Sequence, residues 1–377
     1  MKTLFLVSGE VSGDTHGAEL IESLQQLLGV DTRVTGLGGP RMKEVAHEIE
    51  DWLEDAAVLG LTEVLKKYGY FKKKLKDTIA AVHALDPDVL ILIDYPGFNL
   101  RLAKALRVRG WKGKIAYYIS PQVWAWKRGR IKSMAKILDL MICIFPFEKV
   151  LYEKSGLRTE FAGHPLVDEL HAKRIEAKRE PNLIGLFPGS RRREIEALFP
   201  TMAEAAKQLR ETQPDLRFVA VAANAELAER LREIATEQEA EIDISSGDIH
   251  EWMQRVSCAT IASGTATLEA AFFRLPYVIV YKVAKLTAFI ARRVMKVDYL
   301  GIVNVLADRE VVKELLQENF TAERLAEELK RLIDNDEGRQ QLLDEMKTVV
   351  NQLGEGGAHE NAAKFIGQLV ETPLPSS

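Results

Sequence analysis

Two short glycine-rich turns, about 180 residues apart, constrain what this chain can fold into more than any other feature. Residues 8–14 (SGEVSGD) follow the apolar run 4–7, and residues 188–191 (PGSR) follow the apolar run 184–187. Glycine lets the backbone approach a ligand closely, and a helix that starts after such a turn presents unpaired N–H groups to an anion. Because the arrangement occurs twice, we expect two doubly wound domains that face a shared cleft and act on at least one phosphorylated substrate.

Length, charge and cysteine content narrow the class of protein. At 377 residues the chain is long enough for two domains, and its 47% hydrophobic content can fill two cores. A net charge of -4 argues against nucleic acid as a general partner. No apolar stretch approaches the roughly 20 residues of a membrane span, and Cys143 and Cys258 have the apolar neighbours of buried free thiols. We therefore expect a cytoplasmic protein, or one attached to a membrane from its surface.

Apolar runs alternate with helical periodicity along most of the chain, which is typical of α/β proteins with parallel sheets. The predicted strands are residues 4–7, 34–37, 89–93, 115–119, 140–145, 183–187, 218–222, 258–262 and 278–281. The predicted helices are residues 17–28, 78–85, 100–107, 203–213, 227–238, 267–273, 322–334, 342–353 and 360–369. The alternation pauses at a charged stretch that contains Pro181. We therefore predict a first domain at 1–168, a linker at 169–182, a second domain at 183–353, and a terminal helix and tail at 354–377.

Asp94 is the strongest candidate for acid–base chemistry. It directly follows the continuously apolar run 89–93, and ligands bind beyond the carboxyl ends of strands in open α/β sheets. A carboxylate there can act as a general base toward a substrate hydroxyl, a role worth roughly 10²–10⁴ in rate. The alternative is a structural aspartate that fixes its own turn, with Asn99 as the cap of the next helix.

Two turns of the second domain predict a phosphate site. Arg191 has the planar fork that suits phosphate oxygens, and it follows Gly189 and Ser190 at the predicted helix start. Residues 262–269 (ASGTATLE) form another small-residue turn after a strand, and Glu269 could accept hydrogen bonds from ribose hydroxyls. The alternative for this turn is an ordinary serine or threonine helix cap, with Glu269 near a favourable end of the helix dipole.

Other chemistries are disfavoured by the motifs that the chain lacks. Neither glycine turn matches G-x-x-x-x-G-K-[ST], and no G-x-G-x-x-G occurs, which argues against a P-loop ATPase and a nicotinamide dehydrogenase. The seven histidines show no ligand spacing, so we expect no metal. Residues 86–88 (DPD) precede a strand and are better explained as a turn than as a metal-binding pair.

One segment of the first domain combines apolar residues at helical spacing with many lysines. The apolar positions are Leu61, Val64, Leu65, Tyr68, Phe71, Leu75 and Ile79, and the lysines between them are Lys66, Lys67, Lys72, Lys73, Lys74 and Lys76. A basic amphipathic helix of this kind suits anionic lipid headgroups. The alternative is a helix packed on the core with a solvated lysine face, and Gly69 weakens the helical pattern.

Several motifs together resemble those of the lipid-A-disaccharide synthases, which are inverting glycosyltransferases of the GT-B architecture. They are residues 8–14, 36–39 (GLGG), 94–99 (DYPGFN), 118–126 (YISPQVWAW), 163–166 (GHPL), 188–191 and 262–269, together with Asn304. The resemblance implies that UDP-2,3-diacylglucosamine donates its sugar to 2,3-diacylglucosamine 1-phosphate, which gives a β-1,6-linked disaccharide 1-phosphate and UDP. It also implies no metal or other cofactor, action on the cytoplasmic face of the inner membrane, and in many members a homodimer that exchanges C-terminal segments.

The resemblance and the residue chemistry together assign roles. The first domain would hold the acceptor and contact the membrane, the second would hold the UDP-sugar, and the terminal helix would pack on the first domain. Asp94 would take the proton of the acceptor 6-hydroxyl. The residues expected at UDP are Gly189, Ser190, Arg191, Ser263, Gly264, Thr265, Glu269 and Asn304. Those expected on the acceptor side are Ser12, Gly13, Asp14 and Asn99, and those expected at the membrane are Leu65, Tyr68, Phe71, Lys72, Lys73 and Leu75.

Two other functions stay open at this point. One is another GT-B enzyme of UDP-sugars, such as a UDP-N-acetylglucosamine 2-epimerase or the lipid II N-acetylglucosamine transferase. The basic amphipathic segment disfavours the epimerase, and the combined motifs disfavour both. The other is a non-catalytic membrane adaptor that senses nucleotide, which the position of Asp94 at a strand end disfavours.

Overall fold

The computed structural model describes residues 2–46, 48–56, 67–126, 128–284, 293 and 297–372. The chain divides into two compact units: unit 1 is Met1–Pro165 with Leu353–Ser377, and unit 2 is Leu166–Gln352. The last helix therefore belongs to the same unit as the first strand. Cys143 and Cys258 are buried and free, as the sequence predicts. Within the described ranges, no helix is both long enough and apolar enough to cross a membrane.

Unit 1 is built on a sheet of seven parallel strands. They are β1 (Thr3–Val7), β2 (Arg33–Gly38), β3 (Glu48–Asp51), β4 (Val89–Ile93), β5 (Lys114–Tyr118), β6 (Leu140–Cys143) and β7 (Thr159–Phe161), in the order β3-β2-β1-β4-β5-β6-β7. Its helices are α1 (Val11–Leu28), α2 (Pro40–Val45), α3 (Leu53–Ala56), α4 (Tyr68–Leu85), α5 (Pro96–Val108), α6 (Val123–Trp126), α7 (Ile131–Met134), α8 (Pro146–Glu153) and the last helix, α17 (Ala358–Glu371).

Helices cover both faces of this sheet, which explains why β4 (VLILI) is apolar and buried at every position. One face packs against α1 and α17, through residues such as Leu20, Ile21 and Ile366. The other face packs against α4 and α5, through residues such as Val82 and Leu102. The last helix of the chain thus completes the core of unit 1.

Unit 2 is built on a second parallel sheet, of six strands. They are β8 (Glu180–Phe187), β9 (Arg217–Val221), β10 (Asp243–Ser245), β11 (Val256–Ala262), β12 (Tyr277–Tyr281) and β13 (Glu314–Leu316), in the order β10-β9-β8-β11-β12-β13. Its helices are α9 (Leu166–Ala172), α10 (Arg192–Thr212), α11 (Ala225–Glu237), α12 (Ile249–Arg255), α13 (Thr265–Phe272), α14 (Ile302–Ala307), α15 (Ala322–Asp334) and α16 (Asp336–Val350). Phe199 of α10, Leu231 of α11 and Leu325 of α15 belong to one buried cluster with the sheet.

The strand order of each sheet reverses at one point, between β1 and β4 in unit 1 and between β8 and β11 in unit 2. Ligands of doubly wound folds bind beyond the carboxyl ends of the strands at such switch points. Residues 8–10 follow β1 and Asp94 follows β4, whereas residues 188–191 follow β8 and residues 263–264 follow β11. The topology therefore places both glycine-rich turns at switch points.

The stretch predicted as a linker, residues 169–182, contains regular structure at both of its ends. Its first residues lie in α9, and β8 begins at Glu180 rather than at residue 183. Arg179 fixes the chain just before β8, because its guanidinium donates to the carbonyls of Met253, Val256 and Phe273 at 2.6 to 2.8 Å. A charged residue that binds backbone carbonyls looks the same in sequence as one that faces solvent.

Candidate active site

A pocket of about 540 Å³ opens at the switch point of unit 2. It is lined by the loops that follow β8, β9, β10 and β11 and by the starts of helices α10, α12 and α13. The predicted UDP residues that line it are Gly189, Ser190, Arg191, Ser263, Gly264, Thr265 and Glu269. The fold thus brings together two turns that lie far apart in the sequence.

The first wall of the pocket is the turn between β8 and α10. Gly189 has φ +105°, which other residues rarely adopt, and a Cβ there would lie 2.3 Å from a carboxylate oxygen of Glu194. No side chain of the described residues caps α10 at Arg191, so the first N–H groups of this helix are available to an anion. The Arg191 side chain is 78% exposed and forms an ion pair with Glu194 at 3.1 Å. A phosphate in the pocket could therefore reach both the guanidinium and the helix start.

The second wall is the turn between β11 and α13. Gly264 precedes the first residue of α13, and among the described residues no side chain caps this helix either, so the serine or threonine cap considered above does not form. The Thr267 hydroxyl donates to the Gly264 carbonyl at 2.7 Å and holds the turn from inside. Two uncapped helix starts thus line one pocket, and the dipoles of both helices favour a negatively charged group there.

Glu269 is held in this pocket by a histidine that the sequence did not single out. One oxygen of Glu269 lies 3.1 Å from Nε2 of His250, and Nδ1 of His250 lies 2.9 Å from Oδ1 of Asp248. Burial lowers the pKa of His250, but the hydrogen bond to Glu269 and the charges of both carboxylates outweigh burial, so this pKa lies above its usual value. His250 and Glu269 lie 19 positions apart in the sequence, which explains why no local motif reveals the pair.

Asn304 is not among the residues that line this pocket. Its amide nitrogen donates to the Val312 carbonyl at 2.7 Å and to Glu314 at 2.8 Å, and its oxygen accepts from the N–H groups of Val311 and Val312. The side chain is fully buried. Its hydrogen-bonding atoms therefore hold the loop before β13, and its contact with the nucleotide stays a prediction.

Asp94 follows β4 of unit 1 in a strained turn. Asp94 and Tyr95 have φ values of 42° and 45°, a conformation that costs roughly 1–2 kcal/mol for a residue other than glycine. Side chains of other residues hold the backbone of this turn. The Asp94 carbonyl accepts hydrogen bonds from the Asn99 amide at 2.8 Å and from the Tyr117 hydroxyl. The Asp94 N–H donates to the Tyr118 carbonyl at 3.0 Å. The Asp94 carboxylate is therefore not needed to hold these backbone groups.

The surroundings of Asp94 make its carboxylate a stronger base than usual. Burial raises the pKa of Asp94 to about 6, the negative charge of Glu10 adds to this rise, and the backbone N–H of Tyr95 opposes it. A group with this pKa is mostly ionised at neutral pH and is still basic enough to accept a proton during a reaction.

Most of the residues predicted for the acceptor side are buried. Ser12 is exposed in the first turn of α1, but Gly13 and Asn99 are not. The Asn99 amide donates to three carbonyls at the ends of β1 and β4, at 2.8 to 3.3 Å. Nor does Asn99 cap α5, because that position is Tyr95. Asn99 therefore fixes the two strand ends at the switch point, and its assignment to the acceptor side stays a prediction.

Asp14 is a helix cap. Its carboxylate accepts the N–H groups of Gly39 at 2.7 Å, Arg41 at 3.0 Å and Met42 at 3.1 Å, at the start of α2. The residue is 1% exposed. Since backbone groups take up both oxygens, Asp14 has a structural role at the start of α2, and its assignment to the acceptor side stays a prediction.

We expect Asp14→Ala to lower the free energy of unfolding by about 1–3 kcal/mol, because three N–H groups lose a charged acceptor. Asp14→Asn keeps one oxygen acceptor and should lose less. Urea denaturation followed by circular dichroism measures both variants. If Asp14→Ala were as stable as the parent protein, the capping role would be excluded.

The described part of the basic amphipathic segment is α4, which begins at Tyr68; the predicted contacts before it, Leu65 among them, lie outside the described residues. Phe71 and Leu75 pack partly against the core of unit 1. The Phe71 ring packs edge to face on the Trp52 ring, with the ring centroids 6.4 Å apart. Tyr68, Lys72 and Lys73 are exposed. The predicted contact surface is therefore divided: Phe71 and Leu75 support the core, and the exposed residues are free to meet a membrane.

Two doubly wound parallel sheets in one chain, each with a glycine-rich turn at its switch point, are the pattern of the GT-B fold. Solved structures of this fold that resemble the chain include S. aureus MnaA with UDP (TM-score 0.63, 14% identity, 100% of both chains). Another is the Neisseria meningitidis UDP-GlcNAc 2-epimerase bound to UDP-GlcNAc (TM-score 0.58, 12% identity, 98% of this chain and 100% of that one). A third is the calicheamicin glycosyltransferase CalG4 (TM-score 0.58, 13% identity, 100% of both chains). At such identities the likeness concerns the fold alone.

Sequence comparison defines the family within this class. The family described as lipid-A-disaccharide synthetase matches residues 4–367. The lipid-A-disaccharide synthase of Geobacter sulfurreducens is 37% identical in an alignment of 377 positions that covers 97% of each chain. That of Trichlorobacter lovleyi is 38% identical in an alignment of 380 positions that covers 98% of each chain. The chain belongs to the lipid-A-disaccharide synthase family.

Proposed function

We propose that this chain is a glycosyltransferase that joins two acylated glucosamine units into the lipid A disaccharide. Its donor would be UDP-2,3-diacylglucosamine and its acceptor 2,3-diacylglucosamine 1-phosphate. The observation that carries the proposal is that Asp94, at one switch point, has a pKa raised to about 6, and that a pocket at the other is lined by Arg191 and two uncapped helix starts. Membership of the family supports the class of reaction.

The pocket of unit 2 would hold the UDP part of the donor. Its two helix starts and the Arg191 guanidinium supply the positive potential that a departing diphosphate requires, so this scheme needs no metal or other cofactor. Glu269, held by His250, would accept hydrogen bonds from the ribose hydroxyls. That S. aureus MnaA, a protein of the same fold, was solved with UDP is consistent with this use of the pocket.

Asp94 would act on the acceptor. Its carboxylate takes the proton of the acceptor 6-hydroxyl while the oxygen attacks the anomeric carbon of the donor from the face opposite UDP. The bond between the anomeric carbon and the diphosphate oxygen breaks, and UDP leaves with the electron pair. A single displacement of this kind inverts the anomeric configuration, and the proton passes from Asp94 to solvent before the next turnover.

The decisive experiment supplies both substrates in detergent micelles that contain EDTA. Mass spectrometry follows UDP and the disaccharide, and we expect equal amounts of both. Disaccharide formed only after magnesium replaces EDTA would contradict the metal-free scheme. Conversion of UDP-N-acetylglucosamine to its 2-epimer, with no disaccharide, would favour the epimerase. UDP binding without any turnover would favour the adaptor.

We also propose that the protein attaches to the cytoplasmic face of the inner membrane, where its acylated substrates reside, and that it forms a homodimer. Exposed Tyr68, Lys72 and Lys73 on α4 support the attachment. The dimer rests on the resemblance to the family, and light scattering of the purified protein would measure its mass. The net charge of -4 does not favour a nucleic-acid partner.

Reversing two charges on α4 should release the protein from anionic vesicles. Each lysine near such a surface contributes about 1 kcal/mol, so Lys72→Glu with Lys73→Glu should weaken binding at least about tenfold in vesicle flotation. Arg101→Glu with Lys104→Glu, on the exposed side of α5, makes the same change of charge elsewhere in unit 1. Equal losses in the two double variants would mean that net charge, rather than α4, determines the binding.

A further inference from the structure

The last helix brings together a group of side chains that the proposed transfer does not use. His16 and Glu19 lie one turn apart on α1, His359 lies at the start of α17, and all three belong to unit 1. One potential ligand atom from each residue lies within 4.8 Å of the others. His359 is buried, His16 is half-buried and Glu19 is exposed, so the group is open to solvent at Glu19.

The contacts of His359 determine what its ring nitrogens can do. Nδ1 lies 3.1 Å from the Tyr118 hydroxyl, and Nε2 lies 2.5 Å from Oε2 of Glu19. If Nδ1 donates to Tyr118, the Nε2 lone pair faces a carboxylate oxygen. Two acceptors that close repel each other, so in this structure a proton lies between them and the two side chains form a hydrogen bond. A metal ion bound by both atoms would replace that proton and would need the two atoms to move to about 3 Å apart.

We propose that His16, Glu19 and His359 form a binding site for a divalent transition-metal ion of the Zn²⁺ class. Two imidazoles and one carboxylate are a ligand set that such ions favour, and three protein ligands leave a position for water or an anion. The second imidazole adds a third possible ligand atom beside the pair that Glu19 and His359 form, and the rings of His16 and His359 stack with their centroids 5.5 Å apart.

Tyr118 completes the arrangement expected around a metal-bound histidine. Histidine ligands usually engage a hydrogen-bonding partner through the other ring nitrogen, which fixes the tautomer and the ring orientation. Tyr118 ends β5 and is buried, so its hydroxyl is held by the sheet. Phosphate fits the same position less well, because the carboxylate of Glu19 repels an anion.

A metal ion here would join the first helix of the chain to the last. Helices α1 and α17 already pack together on one face of the sheet of unit 1. Ligands from both helices would make this contact depend on the ion, and binding to the folded state alone would raise the thermal stability. None of the three ligands is among the residues proposed for transfer, so the site is an addition to that activity.

Calorimetric titration of the full chain with ZnCl₂ tests the proposal. The protein is first freed of metal with EDTA and dialysed into chelator-free buffer near neutral pH. We expect one ion per chain and a higher melting temperature with Zn²⁺. His16→Gln and His359→Gln should each weaken binding by more than tenfold, and Tyr118→Phe by about tenfold, which is typical when a histidine ligand loses its hydrogen-bonding partner. Substitution by Co²⁺ should give visible absorption bands that disappear in both histidine variants.

His83→Gln is the matched control, because His83 is an exposed histidine of the same unit on α4. It should bind Zn²⁺ as the parent protein does. If His359→Gln does not fold, as judged by circular dichroism, the half-buried His16→Gln still decides the question. Undiminished binding in the folded histidine variants would place the ion elsewhere and overturn the proposal. A folded parent protein that binds no Zn²⁺ would also overturn it, in favour of a proton between Glu19 and His359. Transferase activity is not the readout, so these results leave the proposed reaction untouched.

Discussion

Asp94→Asn is expected to lower turnover at least about 100-fold with little change in UDP affinity, because the amide cannot accept the proton of the acceptor hydroxyl. The pocket proposed for UDP is formed by residues of unit 2 and does not include Asp94. Steady-state kinetics in micelles measure turnover, and calorimetry with UDP measures affinity. Asp77→Asn, on the exposed side of α4, makes the same chemical change away from both switch points and should retain parent activity.

The pH profile provides an independent check on the role of Asp94. Since burial raises the pKa of Asp94 to about 6, turnover should rise with pH through about 6 and then level off. Glu10 adds to that rise, so Glu10→Gln should move the midpoint to lower pH. A profile that is flat between pH 5 and pH 8 in the parent protein would exclude Asp94 as the base that titrates.

Stability must be separated from catalysis in this comparison. The pKa of folded Asp94 lies above its ordinary value of 3.8, so its contribution to stability is fully present below that value and is lost as pH rises through about 6. The amide introduced by Asp94→Asn stays neutral, and asparagine tolerates positive φ well. This variant should therefore be at least as stable as the parent protein at pH 8. An inactive variant that melts earlier would point to a damaged turn rather than a missing base.

The sequence predicted the centre of each sheet well and the edges poorly. The strands that it missed, β3, β7, β10 and β13, are all outermost strands of their sheets. They are three or four residues long and mostly polar or half-exposed, such as Glu48–Asp51 (EIED). Short, charged edge strands avoid pairing with other chains, and the same features remove the apolar run by which a strand is recognised.

Helix α10 shows how a local signal misled the prediction at the site itself. The sequence predicted a helix from residue 203, whereas the helix begins at Arg192 and contains Pro200. Proline usually marks the start or the end of a helix, so about the first three turns of this helix were missed. The sequence correctly predicted that a helix follows the glycine turn, but it did not predict that the regular helix begins directly after Arg191.

Polar residues near strand ends were the least predictable part of the site. Asp14, Asn99 and Asn304 have residue types and positions that suit ligand binding, yet each side chain hydrogen-bonds to backbone groups. Sequence cannot distinguish the two uses, because both require a polar side chain beside a turn. His250 and the group formed with His359 were missed for another reason. Their partners are brought close by the fold, so no spacing in the sequence reveals them.

Arg191→Ala is the second change with a large expected effect. Loss of the guanidinium should lower kcat by roughly 10²-fold, in the range known for removal of one donor that stabilises developing negative charge. The helix starts at residues 191 and 264 remain in the variant, so the affinity for UDP should fall less than the turnover. Steady-state kinetics with varied donor, together with calorimetry for UDP, separate the two effects.

Arg192→Ala is the matched control, because Arg192 neighbours Arg191 but pairs with Glu196 and is not among the residues that line the pocket. It should keep near-parent kinetics. Arg191→Lys retains the charge but not the planar fork, so its turnover should lie between those of Arg191→Ala and the parent protein. If Arg191→Ala and Arg192→Ala lowered turnover equally, the two arginines would act only by adding positive potential near the start of α10. In that case the leaving diphosphate would be stabilised by the two helix N-termini, and Arg191 would not be a direct ligand.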